Sequence, residues 1–225
     1  LLINSNDRAQ LLEGDVIRFL HEGRPLTVRL MRNGDEKRFL PDIQEERARE
    51  QQEDIWKRSI GHRPEYTIVL EDEEGRLIGY NETVRSQSDG TPVFGPSFAY
   101  LSNESLEGKF LYRRQGHHRY LRQGRARLAQ ELGMHIVHSV VPRAFRVRIR
   151  HRRAAAYFED LIIDRVPAGE RGRGGLPVYL ALRNWGDRVV GISAIEHEHG
   201  NQFLLDVIME SRADQMEPGP RREGE

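Results

Sequence analysis

Between Tyr112 and Gly133 the chain reads as a basic glycine turn running into a helix. The turn is Tyr112-Arg113-Arg114-Gln115-Gly116-His117-His118. An apolar segment, Phe98-Ala99-Tyr100-Leu101, precedes it, and Ile136-Val137-His138-Ser139-Val140-Val141 follows. The order is therefore strand, turn, helix, strand. Leu121, Gly124, Leu128 and Leu132 recur on one helical face, which predicts a side packed on a sheet. Gly124 costs roughly 1 kcal/mol of helix propensity, so its place on that face implies close packing. Gly133 is the expected stop. A glycine turn opening a helix aims backbone N–H groups and the positive end of the helix dipole at one spot, which suits a phosphate. Arg113 and Arg114 add to that attraction, and two cations at a helix N-terminus oppose the dipole unless an anion joins them.

This stretch resembles the acyl-CoA-binding motif of the GNAT-type N-acyltransferases, Arg/Gln-x-x-Gly-x-Gly/Ala after the fourth strand. Arg113 and Gly116 match its first two anchors, and His118 replaces the small third residue. The resemblance covers roughly Leu26 to Trp185. It implies an α/β fold with a mixed, mostly antiparallel central sheet flanked by helices, extended at both ends. It also implies acetyl-CoA or another acyl-CoA as cofactor. On that basis residues 113–118 (Arg113, Arg114, Gln115, Gly116, His117 and His118) would hold the pyrophosphate. The fourth strand (Phe98, Ala99, Tyr100, Leu101) would pair with the pantetheine arm and supply a polarising N–H.

Composition narrows the alternatives. Basic and acidic residues number 35 each, for zero net charge, which argues against a generic polyanion binder. The absence of cysteine excludes disulfides, thiolate zinc sites and cysteine nucleophiles. No apolar run is long enough for a transmembrane helix and no signal-peptide pattern is present, so no membrane partner and a cytoplasmic location are expected. The chain opens without Met and ends in the linker-like Glu217-Pro218-Gly219-Pro220 stretch. A domain cut from a longer protein and a processed N-terminus are both open readings.

Taken in order, residues 1–24 are expected to form a helical extension, with Leu11, Leu12, Val16, Phe19 and Leu20 on one side. The domain proper is expected over 25–185, a C-terminal extension over 186–216 and a tail over 217–225. Leu26 to Leu30 reads as a first strand. Pro41 divides or kinks the helical stretch that follows. Tyr66–Leu70 and Leu77–Val84 form a hairpin, and Ser86 to Pro96 reads as a loop. Asn103 to Lys109 is an insertion, or a sign of misplaced strands. Residues 152–161 read as a helix, Val178–Leu182 as a last strand, and the stretch around Phe203, Leu204, Leu205, Val207 and Ile208 as a helix.

Acyl transfer from a thioester to an amine needs a polarised carbonyl, a base for the amine and an acid for the thiolate. Glu104, His138 and Glu82 are the candidate bases. By resemblance Tyr157, beside Phe158 in an Ala-rich segment, would be the acid. The commoner roles are a loop carboxylate for Glu104, a packed sheet residue for His138 and a core ring for Tyr157. His117-His118 and His197-x-His199 match no zinc spacing, and no metal is expected. The arginines of 143–153 have only Phe145 among them and read as a solvated loop, so nucleic acid is not an expected partner. The reading is an acyl-CoA-dependent acyltransferase acting on an amine or thiol acceptor, a small molecule or a protein. A loading or decarboxylating domain that serves an acyl carrier, and a non-enzymatic basic binding module, are the alternatives.

Overall fold

Three turns with the same chemistry set the register of the chain. Glu22-Gly23, Asp89-Gly90 and Glu107-Gly108 each place both residues at positive φ, between 49° and 81°. Two-residue turns of this kind match the twist of antiparallel strands. The computed structural model describes residues 17–53, 64–148, 176–196 and 202–216. The first turn joins β1 (Ile17–His21) to β2 (Arg24–Leu30). Phe19 and Leu20 therefore lie on a strand, not on the expected helix, because β2 offers a ladder partner for every residue from Ile17 to His21. Pro41 does not kink a helix. It is the first residue of α1 (Pro41–Glu53), where its missing N–H costs nothing.

β3 (Tyr66–Glu71) and β4 (Leu77–Ser88) form the expected hairpin. The expected loop from Ser86 to Pro96 is instead continuous strand around the Asp89-Gly90 turn, leading into β5 (Thr91–Leu101). Asn103 to Lys109 leads through a small hairpin of β6 (Ser105–Leu106) and β7 (Lys109–Phe110). After it come α2 (His118–Glu131) and β8 (Ile136–Arg148).

The C-terminal part corrects two expectations. Val178–Leu182 lies in helix α3 (Leu176–Asn184). Its Tyr179 and Leu182, three apart, are buried while Leu180 is exposed, a helical pattern that a short apolar run conceals. Phe203 to Ile208 lie on β10 (Gln202–Arg212), which pairs with both β8 and β9 (Arg188–Glu196). Strand partners on both sides override the local helical pattern.

The main sheet has the order β1-β2-β3-β4-β5-β8-β10-β9. Among the described strands every pairing in this sheet is antiparallel except that of β5 with β8. Helix α2 covers one face with Leu121 and Leu128, both buried. A Cβ on Gly124 would lie 2.4 Å from Val28 Cγ1, so the close packing expected of that glycine is real. Helix α3 joins the same face through Tyr179 and Leu182, packed with Val141, Leu205 and Val207. α1 covers the other face, where Arg47 lies over the Phe39 and Tyr80 rings.

Candidate functional site

The parallel pair β5/β8 holds together only at Val93↔Ile136 and Phe94↔Val137. Beyond these positions each strand runs on without pairing to the other, so the sheet opens as a wedge. Three features build its apex. The β4/β5 ladder shifts register between Thr83/Arg85, a bulge of the sort that re-aims a strand. Gly95 sits in that bulge at φ 144, and a Cβ there would lie 2.3 Å from the His138 carbonyl oxygen. Arg125 reaches up from α2 and donates to the carbonyls of Phe94 and His138 and to Ser139 Oγ. It thus spans the gap where ladder bonds stop. Burial, with like charge from Arg122, pulls the Arg125 guanidinium down to about 9. Arg122 pairs with buried Asp187 and donates to Ser211 Oγ.

Ser139 faces α2, so the pleat turns His138 to the opposite face, that of α1. His138 is 8% exposed. Its Nε2 lies 2.9 Å from Glu210 Oε2 on β10, directly across the ladder. Arg188 Nε donates to the other carboxylate oxygen at 2.8 Å. Burial raises the Glu210 carboxyl, but the bonds from His138 and Arg188 outweigh it and hold the group below its usual range. An ionised carboxylate only accepts, so His138 carries a proton on Nε2 and Nδ1 is its other ring nitrogen. Glu82 shares this face, opposite Phe98 and 2.9 Å from Arg47. Tyr80 and Tyr100 stack beside it with centroids 6.1 Å apart.

Glu104 lies elsewhere. Its N–H donates to Ser102 Oγ and its carbonyl accepts from Leu111 N–H, so it braces the base of the β6/β7 hairpin. That is the end of β5 away from His138. Tyr157 and the Phe158 beside it lie outside the described residues, as do His197 and His199.

The open end of the wedge leads to the glycine turn. Phe98 and Tyr100 are half-buried, Ala99 is exposed and Leu101 is buried. Arg113 Nε donates to the Leu101 carbonyl at 2.8 Å, and the guanidinium lies over Tyr100, so this arginine caps β5. Arg114, at φ 62, lies over Phe110. Gln115 donates to the Phe110 carbonyl. Gly116 has φ 78, and a Cβ there would meet only Arg119 Nε, at 4.0 Å, so the space above the turn is open. The α2 N-cap, His117, makes no side-chain cap bond, and the first turn holds no acid. His117 Nδ1 and Arg119 Nε are buried without a hydrogen-bond partner. An orphaned Arg119 N–H beside an uncapped helix start suits a diphosphate, so these residues fit the phosphate end of an acyl-CoA.

Both histidines of the turn resist protonation. Burial, with His21 and Arg119 adding to it, lowers His117 to about 4. Burial and then Arg113 lower His118 to about 4. The unfolded chain takes up these protons near 6.5 and the folded chain does not, so it binds more protons between pH 6.5 and 4. Stability is therefore complete above about 6.5 and falls as pH drops toward 4, by up to about 1.4 kcal/mol per pH unit for each ring. The urea midpoint is expected to be clearly lower at pH 5 than at pH 7, and His117→Phe should flatten the change. Equal midpoints at the two pH values would contradict the burial of these rings.

Glu210, Arg125 and Arg119 escaped the sequence reading. Glu210 lay in a segment read as helix, and the two arginines look like ordinary polar residues of an amphipathic helix.

No family model and no curated protein matches the chain. Among solved structures it is similar to the aminoglycoside 6'-N-acetyltransferase from Enterococcus faecium. Identity is 13%, coverage is 87% of this chain and 99% of that one, and the TM-score is 0.52. It is also similar, at a TM-score of 0.45, to a GNAT superfamily phosphinothricin acetyltransferase from Sinorhizobium meliloti in complex with acetyl-CoA. There identity is 16% and coverage is 88% and 94%. Together with the eight-stranded, mostly antiparallel sheet and its single parallel pair, the first of these likenesses establishes the fold as GNAT-type.

Proposed function

We propose that this protein moves an acyl group from an acyl-CoA to an amine or thiol acceptor by direct attack in a ternary complex. One observation carries the reading. A parallel strand pair is bonded at one end, has an ionisable His–Glu pair at its apex, and opens toward an uncapped glycine turn. The backbone of 115–118 would hold the diphosphate and the free edge of β5 from Phe98 to Leu101 would take the pantetheine arm. The bound acyl-CoA supplies an activated thioester. His138 Nδ1 would remove a proton from the acceptor while Glu210 holds the ring and steadies the charge that develops on it. Tyr157 is the proposed proton source for the departing thiolate.

The acceptor would approach on the α1 face, where Glu82, Tyr80, Phe98 and Tyr100 lie. No helix among the described residues is long and apolar enough to cross a membrane, and the proposed acceptor is a small molecule or a protein in aqueous solution.

A thermal-shift titration with coenzyme A and acetyl-CoA tests the reading, because a ligand that binds only the folded state raises the melting temperature. Saturating ligand at roughly a hundred times its Kd should add about 2.7 kcal/mol. Gly116→Leu should abolish the shift, since it forces a side chain into the open space at φ 78. No shift at millimolar ligand overturns the proposal. A shift retained in Gly116→Leu moves the site elsewhere.

A further inference from the structure

The sequence points to Arg113 and Arg114 as the cations of the phosphate turn, but Arg113 is committed to the Leu101 carbonyl and the Tyr100 ring. Arg119 is better placed. It lies on the first turn of α2, and its Nε is the atom a Gly116 side chain would meet first. That Nε is buried and has no hydrogen-bond partner. Among the described residues Arg119 pairs with no carboxylate. A buried N–H with no acceptor is a standing cost unless something binds it. His117, the N-cap residue, is 5% exposed; its ring hydrogen-bonds the Tyr112 backbone, and its Nδ1 has no partner.

The Arg119 guanidinium is held from behind. One terminal nitrogen donates to Tyr120 Oη at 2.6 Å and to His21 Nδ1 at 3.2 Å. Because a guanidinium only donates, His21 Nδ1 must accept, which places the His21 proton on Nε2. Tyr120 Oη, 3.1 Å from the same nitrogen, then donates to it as well. His21 is 7% exposed, and its ring packs on His117 with centroids 4.3 Å apart. It ends β1, the edge strand that precedes the first strand recognised in the sequence. This added hairpin therefore reaches across to the phosphate turn.

We propose that Arg119 is a phosphate ligand at the Gly116 turn and that His21 is its positioning residue. The ligand group is a diphosphate, and its identification with that of an acyl-CoA rests on the function proposed above. His21 and Tyr120 occupy one end of the fork, which leaves the Nε edge for an anionic oxygen.

Isothermal titration with three probes tests this: coenzyme A, inorganic pyrophosphate and pantetheine, which lacks the phosphates. Arg119→Gln should weaken coenzyme A and pyrophosphate by roughly ten- to a hundred-fold and leave pantetheine unchanged. Arg119→Lys should recover part of the loss. His21→Leu should weaken the same two probes several-fold, and His21→Asn, whose side-chain oxygen can still accept, should restore them. The double variant Arg119→Gln/His21→Leu should bind like Arg119→Gln alone. Melting curves confirm that each variant is folded, and the two His21 variants keep the test open if an Arg119 variant is not. Wild-type binding of pyrophosphate but not coenzyme A would sink the acyl-CoA reading and leave the anion site standing. Equal coenzyme A binding by wild type and Arg119→Gln would sink this proposal alone, as would equal weakening of all three probes. No binding of any probe by wild type would sink both.

Discussion

Replacing His138 with alanine is expected to lower kcat for acyl transfer by roughly two to four orders of magnitude and to leave the KM for acetyl-CoA within about three-fold. The assay is release of free thiol from acetyl-CoA in the presence of a panel of primary amines. The size of the effect follows from geometry. His138 stands where β5 and β8 part, Glu210 accepts its Nε2 proton, and Nδ1 remains as the only basic nitrogen of the ring. Glu210→Gln should cost less, roughly ten- to a hundred-fold, because an amide can still orient the ring but cannot stabilise the imidazolium. A His138→Ala enzyme with more than about a third of wild-type kcat would remove His138 from the mechanism. Glu82 would then be the next residue to test.

The second large effect is expected at Gly95. A side chain there must tolerate φ 144 and a Cβ 2.3 Å from the carbonyl oxygen of His138. Neither can relax cheaply, because the obstacle is backbone on a central strand and not the end of a flexible side chain. Backbone strain of about 1–3 kcal/mol adds to an overpacking cost of similar size. Gly95→Ala should therefore lower the melting temperature by about 5–20 °C. The folded fraction should also lose activity, because the clash displaces the peptide that carries His138. Differential scanning calorimetry with kcat per folded molecule separates the two effects. A melting temperature within about 2 °C of wild type would mean that the apex yields to a methyl group and that Gly95 is not required there.

Local chemistry made much of the scaffold legible. The glycine turn and the helix behind it stand where the residue pattern put them, because helix periodicity, a left-handed glycine and a glycine stop are written within a few residues of one another. Gly124 was readable for the same reason: a residue that weakens a helix on its apolar face has to serve packing. The Asp89-Gly90 turn was equally local and was passed over because Ser, Gly and Pro around it suggested a loop. The two C-terminal errors differ in kind. Val178–Leu182 and Phe203–Ile208 are short apolar runs whose own residues suit helix or strand, and only their neighbours decide. β10 is a strand because β8 and β9 flank it, while α3 is a helix because Tyr179 and Leu182 fill a groove above Val141 and Val207.

The sequence alone determined the α/β class, the glycine turn, the helix behind it and the candidate status of His138, all within windows of a few residues. Only the tertiary structure decided what those residues meet. His138 finds Glu210 across 72 positions of chain, and Arg119 finds His21 across 98. Arg113, the more obvious cation, is withdrawn to cap a strand. Such pairings depend on strand register and on which face of the pleat a residue occupies. A shift of one position reverses both, so no short stretch of sequence can hold them.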